Sequence, residues 1–122
     1  MTSARQAVAA GRRAEEMARR YLKERGMVLE AGNVRGGGGE LDVVALDGEV
    51  LVFVEVKSGA GPGELLQRVD PRKRRRLVAA AEAYLARRPG PTPRCRFDVV
   101  TVRLGDRSPR VEHLADAFRV GD

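Results

Sequence analysis

A single α/β domain, a mixed sheet flanked by helices, is the fold class predicted by three features of the 122-residue sequence. Apolar residues recur at helical spacing near its start. Two apolar, strand-like runs meet at Asp47-Gly48, and a second helical stretch opens at Asp70-Pro71. The order is helix, three strands, helix, strand and a short tail, with no internal repeat and no domain boundary. Residues 1–122 therefore read as one domain, with 1–10 expected to fray.

The first helix is predicted over residues 4 to about 25. Ala10, Ala14, Met17, Ala18, Tyr21 and Leu22 recur at three- and four-residue spacing and form its apolar face. Arg12, Arg13, Arg19, Arg20, Lys23 and Arg25 ride elsewhere on it, and Gly26 is its stop. Met27 to Asn33 is a short strand. Gly36 to Gly39 costs too much entropy for an element interior, so it is a turn or flexible loop. Glu40 to Leu46 is a strand, and Asp47-Gly48 is a hairpin signal. Val50 to Lys57 is the most apolar strand and belongs at the sheet's centre. Ser58 to Gly63 is a glycine-rich loop.

Asp70 caps the second helix and Pro71 takes its first position. It runs to about Arg88 and buries Leu77, Ala81, Tyr84 and Leu85. Pro89 to Pro93 ends it as a rigid connector. Arg96 to Leu104 is the last strand. Val111 to Phe118 is a tail that docks an apolar end.

Composition narrows the function classes. Hydrophobic residues at 43% and charged residues at 33% fit a soluble globular chain. With aromatics at 4% and no Trp, the core is built of Val, Leu and Ala, and base stacking is not the expected grip on single strands. Lys and Arg total 23 against 17 acids, a net charge of +6, and the pI is near 10.4. Such a surplus attracts nucleic acid first and an anionic membrane surface second. An arginine-rich proteome would also raise it. The lone Cys95 excludes a disulfide framework within the chain, and a reducing cytoplasm is the expected compartment. Cys95 reads as core filler, since the only histidine, His113, lies in a separate segment. The first ten residues hold no apolar signal region and no run reaches bilayer length, so no membrane partner is expected.

The chemistry concentrates at the end of the central strand. Side chains alternate along a strand, so Glu55 and Lys57 share one face. Glu40 and Asp42 are also two apart, and a hairpin at Asp47-Gly48 brings Asp42 toward Glu55. Two carboxylates there suit Mg²⁺ (or Mn²⁺), which takes one or two carboxylates with waters and a substrate phosphate. The carbonyl of Val56 is a further candidate ligand. Lys57 would orient the attacking water and balance charge on phosphorus. The same spacing also fits an exposed Glu–Lys pair, worth under about 1 kcal/mol. Glu15 is a further candidate from the first helix, although its position alone marks an ordinary solvated glutamate.

Arg72, Lys73, Arg74, Arg75 and Arg76 crowd the first turns of the second helix. That end of a helix already carries partial positive charge, so cations there run against a local rule. A phosphate would be favoured by dipole and side chains together. Arg72 and Lys73, with Arg35 and Arg12, are the candidate nucleic-acid contacts. They are expected to hold backbone rather than read bases.

The segments GRRAEEMARRYL, NVRGGGGELDVVA, LVFVEVK, the Lys73-containing helix start, RFDVV and HLADAF resemble the YraN-like bacterial family, over roughly Gly11 to Phe118. That family is placed in the restriction-endonuclease-like superfamily, near the archaeal Holliday junction resolvases. The resemblance implies an αβββαβ core and a site of Glu15, Asp42, Glu55 and Lys57. It also implies a homodimer. Two departures stand out: Ala14 precedes Glu15 where the family often has Gly, and SGAGPG follows EVK where a basic residue is common. The leading expectation is a Mg²⁺- or Mn²⁺-dependent endonuclease hydrolysing phosphodiester bonds in DNA, branched or junction DNA included. Its rivals are a non-catalytic nucleic-acid-binding protein that retains the fold and a subunit whose basic face meets an acidic partner.

Overall fold

Ser3 caps the first helix, α1 (Ala4–Glu24). Its Oγ accepts the Gln6 N–H at 3.1 Å, and the Gln6 side chain accepts the Ser3 N–H at 2.9 Å. This reciprocal box satisfies two donors that a helix start leaves open. At the other end Gly26, with φ of 89°, turns the chain out of the helix. The structure, a computed structural model, describes residues 3–58, 70–105 and 108–119.

After α1 come β1 (Val28–Gly36), β2 (Gly39–Asp47), β3 (Val50–Ser58), α2 (Pro71–Arg87), β4 (Arg94–Arg103) and β5 (Arg110–Phe118). The strands lie in that order across one sheet, so β3 is central as its apolar run predicts. The β1–β2, β2–β3 and β4–β5 pairs are antiparallel, while β3 and β4 are parallel and joined through α2. Among the described residues, no helix is long and apolar enough to cross a membrane.

The two helices cover opposite faces. On one, Ala14, Ala18 and Leu22 of α1 pack on Val43, Ala45, Val52, Val54, Val100 and Val102. The alanines allow the helix to lie close to the sheet. On the other, Leu77, Ala80 and Ala81 of α2 pack on Leu41, Val44, Leu51, Phe53, Phe97, Val99 and Phe118. Along β3, Leu51 and Phe53 face α2 and Val52, Val54 and Val56 face α1, so Glu55 and Lys57 lie on the α2 side. The far end of α2 is tied to β1 by Glu30, which accepts from the Tyr84 hydroxyl and pairs with Arg88 at 2.9 Å.

Several expectations are corrected. The tail at Val111 to Phe118 is a strand, β5, and the order is αβββαββ rather than αβββαβ. Its polar residues hid the pattern because an edge strand buries little. Cys95 is exposed, not core: it enters β4 before that strand passes under α2, whose buried contacts begin at Phe97. The hairpin loop between β2 and β3 is Gly48-Glu49, one residue later than the Asp47-Gly48 signal, with Asp47 paired to Val50. The glycine-rich loop expected at Ser58 to Gly63 lies, beyond Ser58, outside the described residues.

The Gly36–Gly39 run is a packed hairpin, with Gly36 and Gly39 inside the strands and Gly37-Gly38 as the turn. Gly39 faces the backbone of α2: a Cβ there would lie 2.4 Å from the Arg76 carbonyl oxygen. The glycines thus serve close approach as well as turn geometry. Gly39→Ala is expected to cost about 1–3 kcal/mol, whereas Gly38→Ala meets only its strained φ of 84° and open space. Chemical denaturation of the two variants checks this. Equal or smaller loss in Gly39→Ala would contradict the packing.

Candidate active site

Asp42 sits where the sheet comes apart. The β2–β3 ladder runs from Asp47–Val50 to Val43–Val54 and stops there. The next rung would join Asp42 to Glu55. Instead the Asp42 carboxylate reaches across and accepts the Val56 N–H at 2.8 Å. The regular alternation of β2 breaks at the same point: Leu41 and Val44 both enter the core beneath α2 although three apart. On β1, Asn33 lies opposite Asp42, between the Gly32–Val43 and Val34–Leu41 pairs, with φ of 50°. Asparagine is among the few side chains that tolerate this conformation. At this point the β2–β3 pairing ends and a cleft lies between the two strands.

That cleft, about 580 Å³, is lined by Arg35, Glu40, Asp42, Glu55, Lys73 and Arg76, with the glycine hairpin as one wall. Glu55 is buried at the end of β3. Lys73 descends from the first turn of α2, where Asp70 Oδ1 accepts its backbone N–H at 2.9 Å, and its Nζ lies 2.6 Å from Glu55 Oε1. Burial, the charge of Glu55, and more distantly Glu15 and Glu40, push the Asp42 carboxyl up to about 7 against the pull of the Val56 N–H. Burial works to lower the Lys73 ammonium, but the hydrogen bond and charge of Glu55, aided by Asp42 and Asp70, hold it above the ordinary lysine value.

Of the expected site residues, Asp42 and Glu55 converge. Glu15 approaches from the α1 side, near enough to act on Asp42, and pairs with Arg19 at 3.8 Å. Lys57 lies on the Glu55 face two residues further along β3, partly buried and outside the cleft lining. Its neighbour across the β3–β4 register is Thr101, whose buried Oγ1 has no hydrogen-bond partner among the described residues. Arg35 lines the cleft and pairs loosely with Glu40 at 3.9 Å. Arg72 is exposed on the first turn of α2, and Arg12 is exposed on α1, the helix of the other face.

The ammonium inside the cleft is that of Lys73, which the sequence reading assigned only to phosphate. Its phase was readable: Leu77 must face the core, and residue 73 lies four before it, on the same face. Asp98 was missed as a structural centre. It is buried on β4 and receives Arg96 at 3.0 Å, His113 at 2.7 Å and the Asp116 N–H at 2.9 Å.

A larger depression of about 810 Å³ lies at the other end of β3 and β4, with Cys95 and the edge of the core at Phe118 in its lining. Its carboxylates among the described residues, Asp47 and Asp116, are each paired with an arginine, Arg96 and Arg119, rather than converging on one another. As to a metal, no three His, Cys, Asp or Glu side chains gather closely enough among the described residues to hold one unaided. The Asp42–Glu55 pair fits a hard dication all the same: the carboxylates repel each other, an ammonium already answers their charge, and Mg²⁺ needs only one or two such ligands.

Fold and site together define an α/β protein with a helix on each face of a five-stranded mixed sheet and an acid–lysine cleft where its central hairpin opens. The chain belongs to the Uncharacterised protein family UPF0102, the YraN-like family, whose model matches residues 14–102. It is 49% identical over 115 residues to the UPF0102 protein of Anaeromyxobacter dehalogenans, covering 90% of this chain and 84% of that one. It is 43% identical over 120 residues to the UPF0102 protein of Ralstonia nicotianae, covering 93% and 89%. With the UPF0102 protein of Pseudomonas aeruginosa the figures are 42% over 118 residues, 88% and 90%. The matched span takes in Glu15, Asp42, Glu55, Lys57, Lys73 and Asp98 and stops short of β5.

Proposed function

We propose that the chain is a divalent-metal-dependent endonuclease acting on DNA, with branched or junction DNA among its substrates, on a restriction-endonuclease-like core. The observation that carries the reading is the convergence of Asp42 and Glu55 at the splayed end of β2 and β3, beside cationic groups. In this reading Asp42 and Glu55 would hold Mg²⁺ or Mn²⁺, which when bound polarises the scissile phosphate and acidifies a water. Lys73, Arg35 and Arg76 draw the phosphate backbone into the cleft. Lys57 orients the water and answers charge developing on phosphorus. Glu15 acts from the α1 side as an outer acid that adds negative charge behind Asp42. The water oxygen bonds to phosphorus as one P–O ester bond breaks; the water gives up one proton, and the departing oxygen takes one up, so that a phosphomonoester and an alcohol result. Symmetric cutting of paired strands would make the working form a homodimer, in the cytoplasm.

The test is a titration of Mg²⁺ and Mn²⁺ against duplex, flap, single-stranded and four-way-junction DNA. Cleavage should require the ion, and Asp42→Asn or Glu55→Gln should each lower it at least about a hundredfold. Metal-dependent cleavage unchanged in both variants removes the site assignment.

A second reading, a non-catalytic nucleic-acid binder, draws on the Lys73–Glu55 ion pair, which answers the acid charge without an ion. It predicts steeply salt-dependent binding that survives Glu55→Gln and Lys57→Ala and weakens when Arg72 and Lys73 are replaced.

A further inference from the structure

Lys73 and a dication would want the same place. The Lys73 ammonium stands 2.6 Å from Glu55 Oε1, and the Glu55 side chain is only 8% exposed, so this contact is the carboxylate's close charge partner. Glu55 and Asp42 line one cleft, and the same cleft is edged by Arg35 and Arg76. Two ionised carboxylates carry two negative charges. Lys73 answers one of them, whereas a divalent ion answers both. A dication and the ammonium held together against Glu55 would repel across a contact distance, in a partly buried setting where solvent screens poorly.

The lysine is built to leave. Its backbone is fixed by the Asp70 cap, but its side chain is 46% exposed and ends in a flexible point charge. The ammonium can turn toward solvent with no change in α2. Glu55, fixed in the central strand and buried, cannot follow it.

We infer that Lys73 is the resident counter-ion of the Asp42–Glu55 pair and is displaced from Glu55 when a divalent cation binds, which frees its ammonium for nucleic-acid phosphate. The inference rests on the metal-dependent reading above and adds a regulation to it. In the metal-free protein Lys73 satisfies Glu55 and is withheld from the substrate. Once the ion is bound, the same side chain joins Arg35 and Arg76 at the mouth of the cleft, so metal and phosphate each favour the other's binding. Such coupling is reciprocal: whatever Lys73 contributes to the metal-free state, the ion must displace.

Calorimetric titration of Mn²⁺ into the full chain tests this without any turnover. Lys73→Met should bind the ion about fivefold or more tightly than the parent. Lys73→Arg, which keeps a cation on the helix, should stay within about twofold of the parent, and Asp42→Asn should lose the binding heat. Thermal unfolding gives a second reading. Lys73→Met should melt below the parent without the ion, because Glu55 is then buried unpaired, and the gap should close at saturating Mn²⁺. Equal or weaker binding in Lys73→Met, with the parent still binding through Asp42, overturns the role of Lys73 and leaves the metal site standing. If neither the parent nor Lys73→Met takes up the ion, both the inference and the metal-dependent reading fall.

Discussion

Replacing Asp98 with alanine is expected to cost about 3–5 kcal/mol, a large part of the stability of a domain this size. The side chain is fully buried and receives four hydrogen bonds, two from Arg96 and one each from His113 and the Asp116 N–H. Removing it leaves the His113 imidazole largely enclosed without this acceptor, leaves Arg96 its pair with Asp47 alone, and frees the backbone at Asp116, where φ is 53°. It also releases β5 from β4 at the bulge between Phe97 and Val99. The melting midpoint should fall by roughly 10–20 °C. Asp98→Asn, which retains an acceptor oxygen for Asp116, should lose less. Burial works to raise the Asp98 carboxyl, but His113, Arg96 and the Asp116 N–H together hold it below its ordinary value of 3.8. A depressed folded value means stability that is present above about pH 4 and lost as pH falls through the folded value. The parent should therefore unfold in acid more readily than Asp98→Asn does relative to its own neutral stability. An alanine variant that melts within about 2 °C of the parent would show that the network carries little.

Asp42→Asn should make the protein more stable above neutral pH while lowering the proposed cleavage at least about a hundredfold. Burial first, then the charge of Glu55 with Glu15 and Glu40 behind it, raises Asp42 from 3.8 to about 7, although Lys73 stands near as the opposing cation. Because the folded value lies above the unfolded one, the parent has its full contribution from this group below about pH 4 and loses it as pH rises through about 7. Asparagine keeps an oxygen for the Val56 N–H and carries no charge. Near pH 8 the variant should exceed the parent by on the order of 2–4 kcal/mol, and near pH 4 the difference should vanish. Denaturant midpoints across that range measure it. Gain of stability on loss of a charged site residue is the usual mark of an acid pair maintained for function. A variant less stable than the parent at pH 8 would mean that the carboxylate is structural.

Much of this architecture is legible before any coordinates. The face of α1 follows from Ala14, Ala18 and Leu22 at helical spacing, and β3 from its unbroken apolar run. Asp70 and Pro71 mark the start of α2 to the residue. These elements obey local rules, so local reasoning finds them. The strand β5 escaped because Glu112, His113 and Asp116 interrupt its apolar side, and the purpose of His113 and Asp116 appears only when Asp98 is in place. Asp42 and Glu55 could be placed on neighbouring strands from the hairpin alone. That the β2–β3 pairing ends at Val43–Val54 could not, because no local pattern marks it: Asn33 stands opposite Asp42 on another strand, and Gly39 meets α2 only in the folded chain. Lys73 lay between the two cases: its helical phase points it at the sheet, but the carboxylate that receives it belongs to another element.

In the proposed function Asp42 and Glu55 receive one divalent ion at the mouth of the β2–β3 split. Crystals grown with Mn²⁺ and a short DNA duplex, measured at the manganese absorption edge, test it most directly. A single anomalous peak is expected within about 2.0–2.4 Å of carboxylate oxygens from both residues, with the Lys73 ammonium turned from Glu55 toward a phosphate. A map at full Mn²⁺ occupancy elsewhere, with no peak at Asp42 and Lys73 still seated on Glu55, would contradict it.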